Sequence, residues 1–204
     1  MAERGSGSSD VVKLCAMGAT GVGKSHLLNT YAFGPSSSLA TPPTLGVDFF
    51  VCRYKPHSCV RVQVYDTSGA EKYYALCGAY FRTAHILLLC YDLCVSEHLS
   101  MRQLRSQYDY VIDNDLQHKT LCVVGCKADI AMPLAQVSVP QWCSERGLAH
   151  HITSAKDNVN VAPAIDSIIA LHMAREREYR SAAGHTTITL GEAAPPATGC
   201  CLST

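Results

Sequence analysis

The chain carries no net charge, since seventeen lysines and arginines stand against seventeen aspartates and glutamates in 204 residues. The overall balance therefore gives no reason to expect a nucleic-acid partner or a generally basic surface for an anionic membrane. No apolar run approaches the ~18 residues that a membrane span requires. The first ten residues, MAERGSGSSD, lack the apolar core of a signal peptide, so synthesis and residence in the cytosol are expected. There are eleven cysteines, but no two are spaced CxxC. A cysteine zinc site is therefore not expected. Cys15, Cys90 and Cys122 sit inside apolar runs, where a thiol serves as a small buried hydrophobe, and reduced thiols are expected. No internal repeat is visible. At 48% hydrophobic and 17% charged, the composition suffices for the core of one domain.

What is present is organised around Gly18-Ala19-Thr20-Gly21-Val22-Gly23-Lys24-Ser25, a complete GxxxxGK[ST] pattern. It follows the apolar run Val11 to Met17 and precedes Leu27-Leu28, which is the strand, glycine turn and helix order of a phosphate-binding loop. Glycines let successive backbone N–H groups point inward at phosphate oxygens, and the following helix adds its positive N-terminal end. In that pattern Lys24 reaches the β- and γ-phosphates and the Ser25 hydroxyl binds Mg²⁺.

The remainder alternates strands and helices. A helix is expected from Lys24 to Phe33, followed by a long exposed loop over 34–44 with three prolines and three consecutive serines. Two strands, 47–54 and 60–65, are joined by a short turn, and Asp66 to Gly69 reads as a polar turn after the second. The Tyr-rich stretch containing Tyr73, Tyr74, Tyr80 and Phe81 has no clear form. Ile86 to Cys90 and Leu121 to Gly125 are apolar on both faces, as central parallel strands must be. Helices are expected over 99–112, between Trp142 and Leu148, and along a terminal segment with Ile165, Ile168, Ile169 and His172 inward. A short last strand spans 149–153. The expected fold class is α/β: a six-stranded, mostly parallel sheet with one antiparallel hairpin and helices on both faces. Residues 1–10 read as a flexible leader, 11–180 as the domain and 181–204 as a disordered tail.

Further stretches fall at strand ends. Asp66-Thr67-Ser68-Gly69-Ala70-Glu71 resembles the DTAGQE of Ras-like small GTPases, Cys126-Lys127-Ala128-Asp129 resembles NKxD, and Thr153-Ser154-Ala155-Lys156 matches TSAK. Thr44-Leu45-Gly46-Val47-Asp48-Phe49 is similar to TIGVDF, Tyr80-Phe81-Arg82-Thr83-Ala84 to YYRGA, and Leu89-Cys90-Tyr91-Asp92-Leu93 to LVYDI, all patterns of the Rab family. The resemblance covers 11–180 and the last five residues, and no insert of the Rho kind separates Lys127 from Thr153.

The resemblance implies the P-loop small GTPase fold and a monomeric GTP/GDP switch in vesicle-mediated transport, with Mg²⁺ as cofactor. It implies that Asp66 holds Mg²⁺ through water, that Thr44 completes the shell with Ser25, and that the Gly69 amide meets the γ-phosphate. Lys127 and Asp129 would read guanine and the Ala155 amide its O6, with Cys126, Ser154 and Lys156 in the same loops. The implied partners are exchange factors, GTPase-activating proteins, a GDP-dissociation inhibitor and effectors. Cys200 and Cys201 resemble the Rab prenylation site, which implies a lipid-anchored protein on the cytoplasmic face of intracellular membranes with a cytosolic pool. Cys201 to Thr204 also satisfies the CaaX form, a single-lipid route.

Three departures bear on chemistry. Ala70 replaces the glutamine that orients the attacking water, which leaves Lys24 and Gly69 to meet transition-state charge and predicts slow hydrolysis. Cys126 replaces the asparagine that ties the base loop to the phosphate loop, which predicts weaker retention and faster exchange. Thr20 is bulkier than the residue usual beside the γ-phosphate, a minor perturbation. Two competing readings are a nucleotide-bound scaffold that hardly hydrolyses GTP and a P-loop kinase or ATPase. The latter would need an adenine site and a phosphate acceptor, neither of which is apparent.

Overall fold

The computed structural model describes residues 11–35, 43–70, 73–130 and 138–184. The six strands are β1 (Val11–Met17), β2 (Val47–Arg53), β3 (Arg61–Thr67), β4 (Ile86–Asp92), β5 (Thr120–Cys126) and β6 (Ala149–Ile152). The helices are α1 (Lys24–Phe33), α2 (Tyr74–Thr83), α3 (Glu97–Asp113), α4 (Ser138–Glu145) and α5 (Val161–Gly184). One sheet runs in the order β2-β3-β1-β4-β5-β6, with only the β2–β3 pair antiparallel. The expected fold class is thus observed.

The composition of the strands dictates two layers of helices. β4 and β5 are buried at every position, so apolar side chains leave both faces and each face needs a cover. On one side α1 and α5 supply Leu27, Leu28, Tyr31, Ile165, Ile168 and Ile169 against Leu14, Val64, Leu88 and Val124. On the other, α2, α3 and α4 bring Cys77, Phe81, Leu104, Val111, Val139 and Trp142 against Cys15, Leu87, Leu89 and Val123. Buried Gln107 ties α3 to the sheet by donating to the Cys90 carbonyl at 3.1 Å.

Several boundaries differ from those read in the sequence. Asp66 and Thr67 end β3 rather than open a turn, because they pair with Asp48 and Val47 across the hairpin. The buried Thr67 hydroxyl also donates to the Ala16 carbonyl at 2.6 Å. The Tyr-rich stretch is helical from Tyr74, with Cys77 and Phe81 facing inward four residues apart. Trp142 does not flank α4 but lies within it, where its indole meets Tyr108 and Arg146. β4 continues two residues past Cys90, which puts Asp92 at the carboxyl end of the sheet. α5 runs to Gly184, so 181–184 are helix rather than tether. Ser181, Ala182 and Ala183 include strong helix formers with no proline among them, and Gly184 ends the run.

The leader 1–10, loop residues 36–42, Glu71 and the tail from 185 on, including Cys200 and Cys201, lie outside the described residues. Among those described, no helix is long and apolar enough to cross a membrane. The nine cysteines described are free.

Candidate functional site

The described residues expected to hold phosphate, metal and base end or follow β1, β3, β5 and β6 or, for Thr44, precede the antiparallel β2, so they share the carboxyl end of the parallel strands, where an open α/β sheet leaves a crevice. The β1–α1 loop turns through Gly18, Gly21 and Gly23 at φ 149°, 78° and 113°, a left-handed region that disfavours side chains. Space also requires glycine at 18, since a Cβ there would stand 2.6 Å from the Cys90 carbonyl oxygen. Lys24 is 95% covered, and its ammonium folds back over the loop to donate to the carbonyls of Gly18 at 2.9 Å and Ala19 at 3.0 Å. Burial pulls its pKa below the usual lysine value, against the attraction of neighbours that include Asp66.

Beside the loop, three oxygens from separate elements converge. Ser25 Oγ of α1 is 3.0 Å from Thr44 Oγ1, and Thr44 donates to Asp66 Oδ2 at 3.2 Å. Asp66 is buried, and its other oxygen, Oδ1, has no hydrogen-bond partner. Burial raises the Asp66 pKa, while hydrogen bonding from Ser25, the charge of Lys24 and hydrogen bonding from Thr44 pull it down. A buried acceptor without a donor beside two hydroxyls fits a hard divalent cation, which takes oxygen ligands and keeps several waters. The residues present thus fit Mg²⁺.

Gly69 packs so closely on the backbone of Ala19 and Thr20 that a side chain there would overlap it. The Ala70 amide donates to Ser68 Oγ at 3.3 Å, and Ser68 in turn donates its amide to the Gly46 carbonyl at 2.8 Å. The loops after α1 and β3 are thereby joined to each other as well as to the glycine loop. They line a cavity of about 420 Å³ with Thr20, Lys24, Ser25, Thr44 and Ala70.

A second cavity of about 150 Å³, largely apolar, shares Gly23, His26 and Lys127 with the first. Cys126, Asp129, Thr153, Ala155 and Lys156 also line it. The Asp129 carboxylate is held on one oxygen by Ser154 Oγ at 2.8 Å, and Lys156 stands 3.9 Å from the other. The Thr30 hydroxyl of α1 donates to the Ala155 carbonyl at 3.4 Å, fixing that loop to the helix behind the phosphate loop. A held carboxylate at the mouth of an apolar slot can read a flat ring that offers adjacent N–H donors. The Cys126 thiol turns back to donate to the Val124 carbonyl of its own strand at 3.9 Å. It meets Gly23 only by contact: a Cβ on that glycine would be 3.3 Å from Cys126 Cβ.

Two residues of this site had no role in the sequence reading. His26 lines both cavities. Asp92, 8% exposed, accepts from Lys127 Nζ at 2.7 Å and from the Cys94 amide at 2.8 Å. Lys127 has a left-handed backbone, φ 67°, which a non-glycine residue adopts only when its surroundings hold it. The signal for Asp92 was an acidic residue closing an otherwise apolar run.

Fold, glycine loop, converging oxygens and split cavity define a nucleotide-binding α/β protein with a phosphate loop. The profile of the Ras family matches residues 13–174. Ras-related protein Rab-9B of Homo sapiens is 30% identical, over 96% of this chain and 100% of that protein. Ras-related protein rab-11.1 of Caenorhabditis elegans is 28% identical over 93% and 94%. GTP-binding protein yptV2 of Volvox carteri is 29% identical over 91% of each chain. The chain belongs to the Ras family and is a Rab-like small GTPase.

Replacing Asp92 by Asn keeps the shape but removes the charge that holds Lys127. A hydrogen bond between charged groups contributes about 1.5–3 kcal/mol. Release of a fluorescent guanine nucleotide from Asp92→Asn is therefore expected to be on the order of tenfold faster, and an unchanged release rate would show that the ion pair has no part in holding the base loop.

Proposed function

We propose that this GTPase is a guanine-nucleotide switch of vesicle-mediated transport whose intrinsic hydrolysis is slow. The carrying observation is the shared hydrogen bonding of Ser25, Thr44 and Asp66, which fastens the loop after α1 to the floor of the phosphate cavity. In this reading the amides of Gly18 to Ser25 cradle the phosphates and Lys24 turns its ammonium to them. Ser25, Thr44 and, through water, Asp66 would hold Mg²⁺, which when bound neutralises charge between the terminal phosphates. Thr44 and Gly69 couple the two loops to the presence of the last phosphate, and partners that distinguish ordered from loosened loops read the state. Asp129 accepts from the donors on guanine, a pair that adenine lacks, with Lys127, Ala155 and the Ser154–Lys156 loop supporting it. Exchange factors, GTPase-activating proteins, a GDP-dissociation inhibitor and effectors are the partners that such a cycle requires.

Slow hydrolysis rests on Ala70. Its methyl group can neither donate to water nor accept from it. Losing one positioned polar group costs about 10²–10³ in rate, by analogy with oxyanion donors. The same residue favours the second reading, a nucleotide-bound scaffold with negligible turnover. Cys126 adds faster exchange, since its thiol turns to the Val124 carbonyl and is a poor substitute for a carboxamide that would reach the phosphate loop.

The tail would anchor the protein. Two prenyl chains on Cys200 and Cys201 give stable attachment where one gives only a marginal one, placing the domain on the cytoplasmic face of intracellular membranes with a cytosolic pool.

Chromatography of the nucleotide bound to purified protein, followed over time, tests base, retention and turnover together. Guanine nucleotide is expected, with little GDP formed from GTP in a single turnover and a rise of about 10²–10³-fold in Ala70→Gln. A wild-type rate that Ala70→Gln leaves unchanged would refute the role of Ala70, and no turnover in either protein would favour the scaffold. For the tail, Cys200→Ser with Cys201→Ser should abolish detergent-phase partitioning of protein made in eukaryotic cells; partitioning that persists in the double variant would refute lipidation there.

A further inference from the structure

The sheet has a second pole, at the amino ends of its strands, and it is basic although the chain as a whole is neutral. His85 and Lys119 immediately precede β4 and β5, Lys13 lies near the start of β1, and the last turns of α5 return to the same end. The rings of His85 and His172 stack there with centroids 5.2 Å apart. Each is fixed by one nitrogen: His85 Nδ1 accepts from the Lys13 amide at 3.3 Å, and His172 Nδ1 is 3.3 Å from the Thr120 hydroxyl.

Two clefts flank this pair. One, of about 220 Å³, is lined by the histidines with Arg177 and Arg180. The other, of about 290 Å³, is lined by the same histidines with His118, Lys119, Arg175 and Tyr179. Among the described residues Glu176 is the one acidic residue lining either cleft, and it lies 3.8 Å from Arg180. The positive groups crowd one another. Burial first, then His172, Lys13 and Lys119, depress the basicity of His85, while burial and then Lys13 depress that of Lys119. Positive potential with so little internal compensation is a receptor for anions.

We propose that this pole docks on the anionic phospholipid headgroups of a bilayer. Charge complementarity is one argument, and the course of the chain is the other. α5 ends at this pole, and residues 185–204 continue from it to Cys200 and Cys201. Fifteen residues separate Gly184 from Cys200. Lipids on those cysteines, a point on which this orientation rests through the function proposed above, would therefore hold the basic pole toward the bilayer and the nucleotide cavities away from it. Tyr179, 75% exposed beside the second cleft, is of the amphipathic aromatic type that settles at headgroup level. The tail from 185 on holds no lysine or arginine, so the electrostatic component of binding resides in the folded domain.

Full-length protein purified without lipidation separates this surface from the anchor. Co-sedimentation with vesicles of phosphatidylcholine containing about a third phosphatidylserine is expected, with none on pure phosphatidylcholine and a steep loss as salt is raised. At about 1 kcal/mol for each surface arginine, Arg175→Gln with Arg177→Gln and Arg180→Gln should weaken partitioning on the order of 100-fold. Arg102→Gln with Arg105→Gln, on exposed positions of α3, should leave it unchanged. The three α5 positions are exposed, and retained guanine-nucleotide binding verifies that the variant is folded. Absence of binding, equal binding to both vesicles, or wild-type partitioning of the α5 variant would each overturn the proposal while leaving lipidation to its own test. Absence of binding is also the result expected if the leader or tail of the chain itself covers the pole.

Discussion

A single buried carboxylate, Asp66, sets the terms for the functional end of the molecule. Its cost is desolvation, visible in its raised pKa, and only neighbouring hydroxyls and the Lys24 ammonium offset it. One oxygen accepts from Thr44 and the other is left open in the interior. Such a group is unfavourable in an otherwise apolar sheet unless something positive completes it. In the proposed function a phosphate-bound cation would relieve this cost, and Thr44, which donates to the carboxylate, would respond to it. A loop joined through Thr44 to a buried electrostatic deficit is a physical basis for switching.

The sheet makes that deficit possible. β1 and β3 run side by side, so the glycine loop and Asp66 emerge from neighbouring strands at the same end. β4 and β5 deliver Asp92 and Cys126 in register one strand further on. None of these residues is close to another in sequence, yet parallel pairing brings their strand ends into one row. Backbone bonds then fix the last loop: Thr153 donates its amide to Gly125 at 2.8 Å, and Ala128 donates to Thr153 at 3.1 Å. The end that carries Asp129 and Ala155 is thus built on strand termini, and its position is fixed by the sheet.

Much of this was legible because the residues concerned have few alternatives. Gly18, Gly21 and Gly23 announce positive φ, and the uninterrupted apolar runs of β4 and β5 announce a covered parallel sheet. What escaped the sequence was set by partners remote along the chain. Asp66 and Thr67 look like turn residues until β2 pairs with them. The Tyr-rich stretch shows its helical face only once Cys77 and Phe81 have a layer to pack on. Asp92 reads as a strand terminus, and its hold on Lys127 becomes evident only when β5 lies beside β4. The end of α5 was misread because alanine and serine suit a tether and a helix equally well by composition.

The two poles divide the labour of the fold. Strand ends at one pole present backbone amides, a buried carboxylate and an apolar slot, whereas those at the other present cationic side chains around two stacked histidines. Strands of about seven residues separate them by roughly 20 Å, further than the ~8 Å Debye length at physiological ionic strength. Charges at the basic pole therefore have little direct influence on the nucleotide end. One mechanical route between the poles is α5, which packs on the sheet with Ile165, Ile168 and Ile169 and whose residue Asp166 accepts the Tyr31 hydroxyl of α1 at 2.8 Å. α1 begins at Lys24, so one hydrogen-bonded helix pair joins the phosphate end to the helix that leads into the tail.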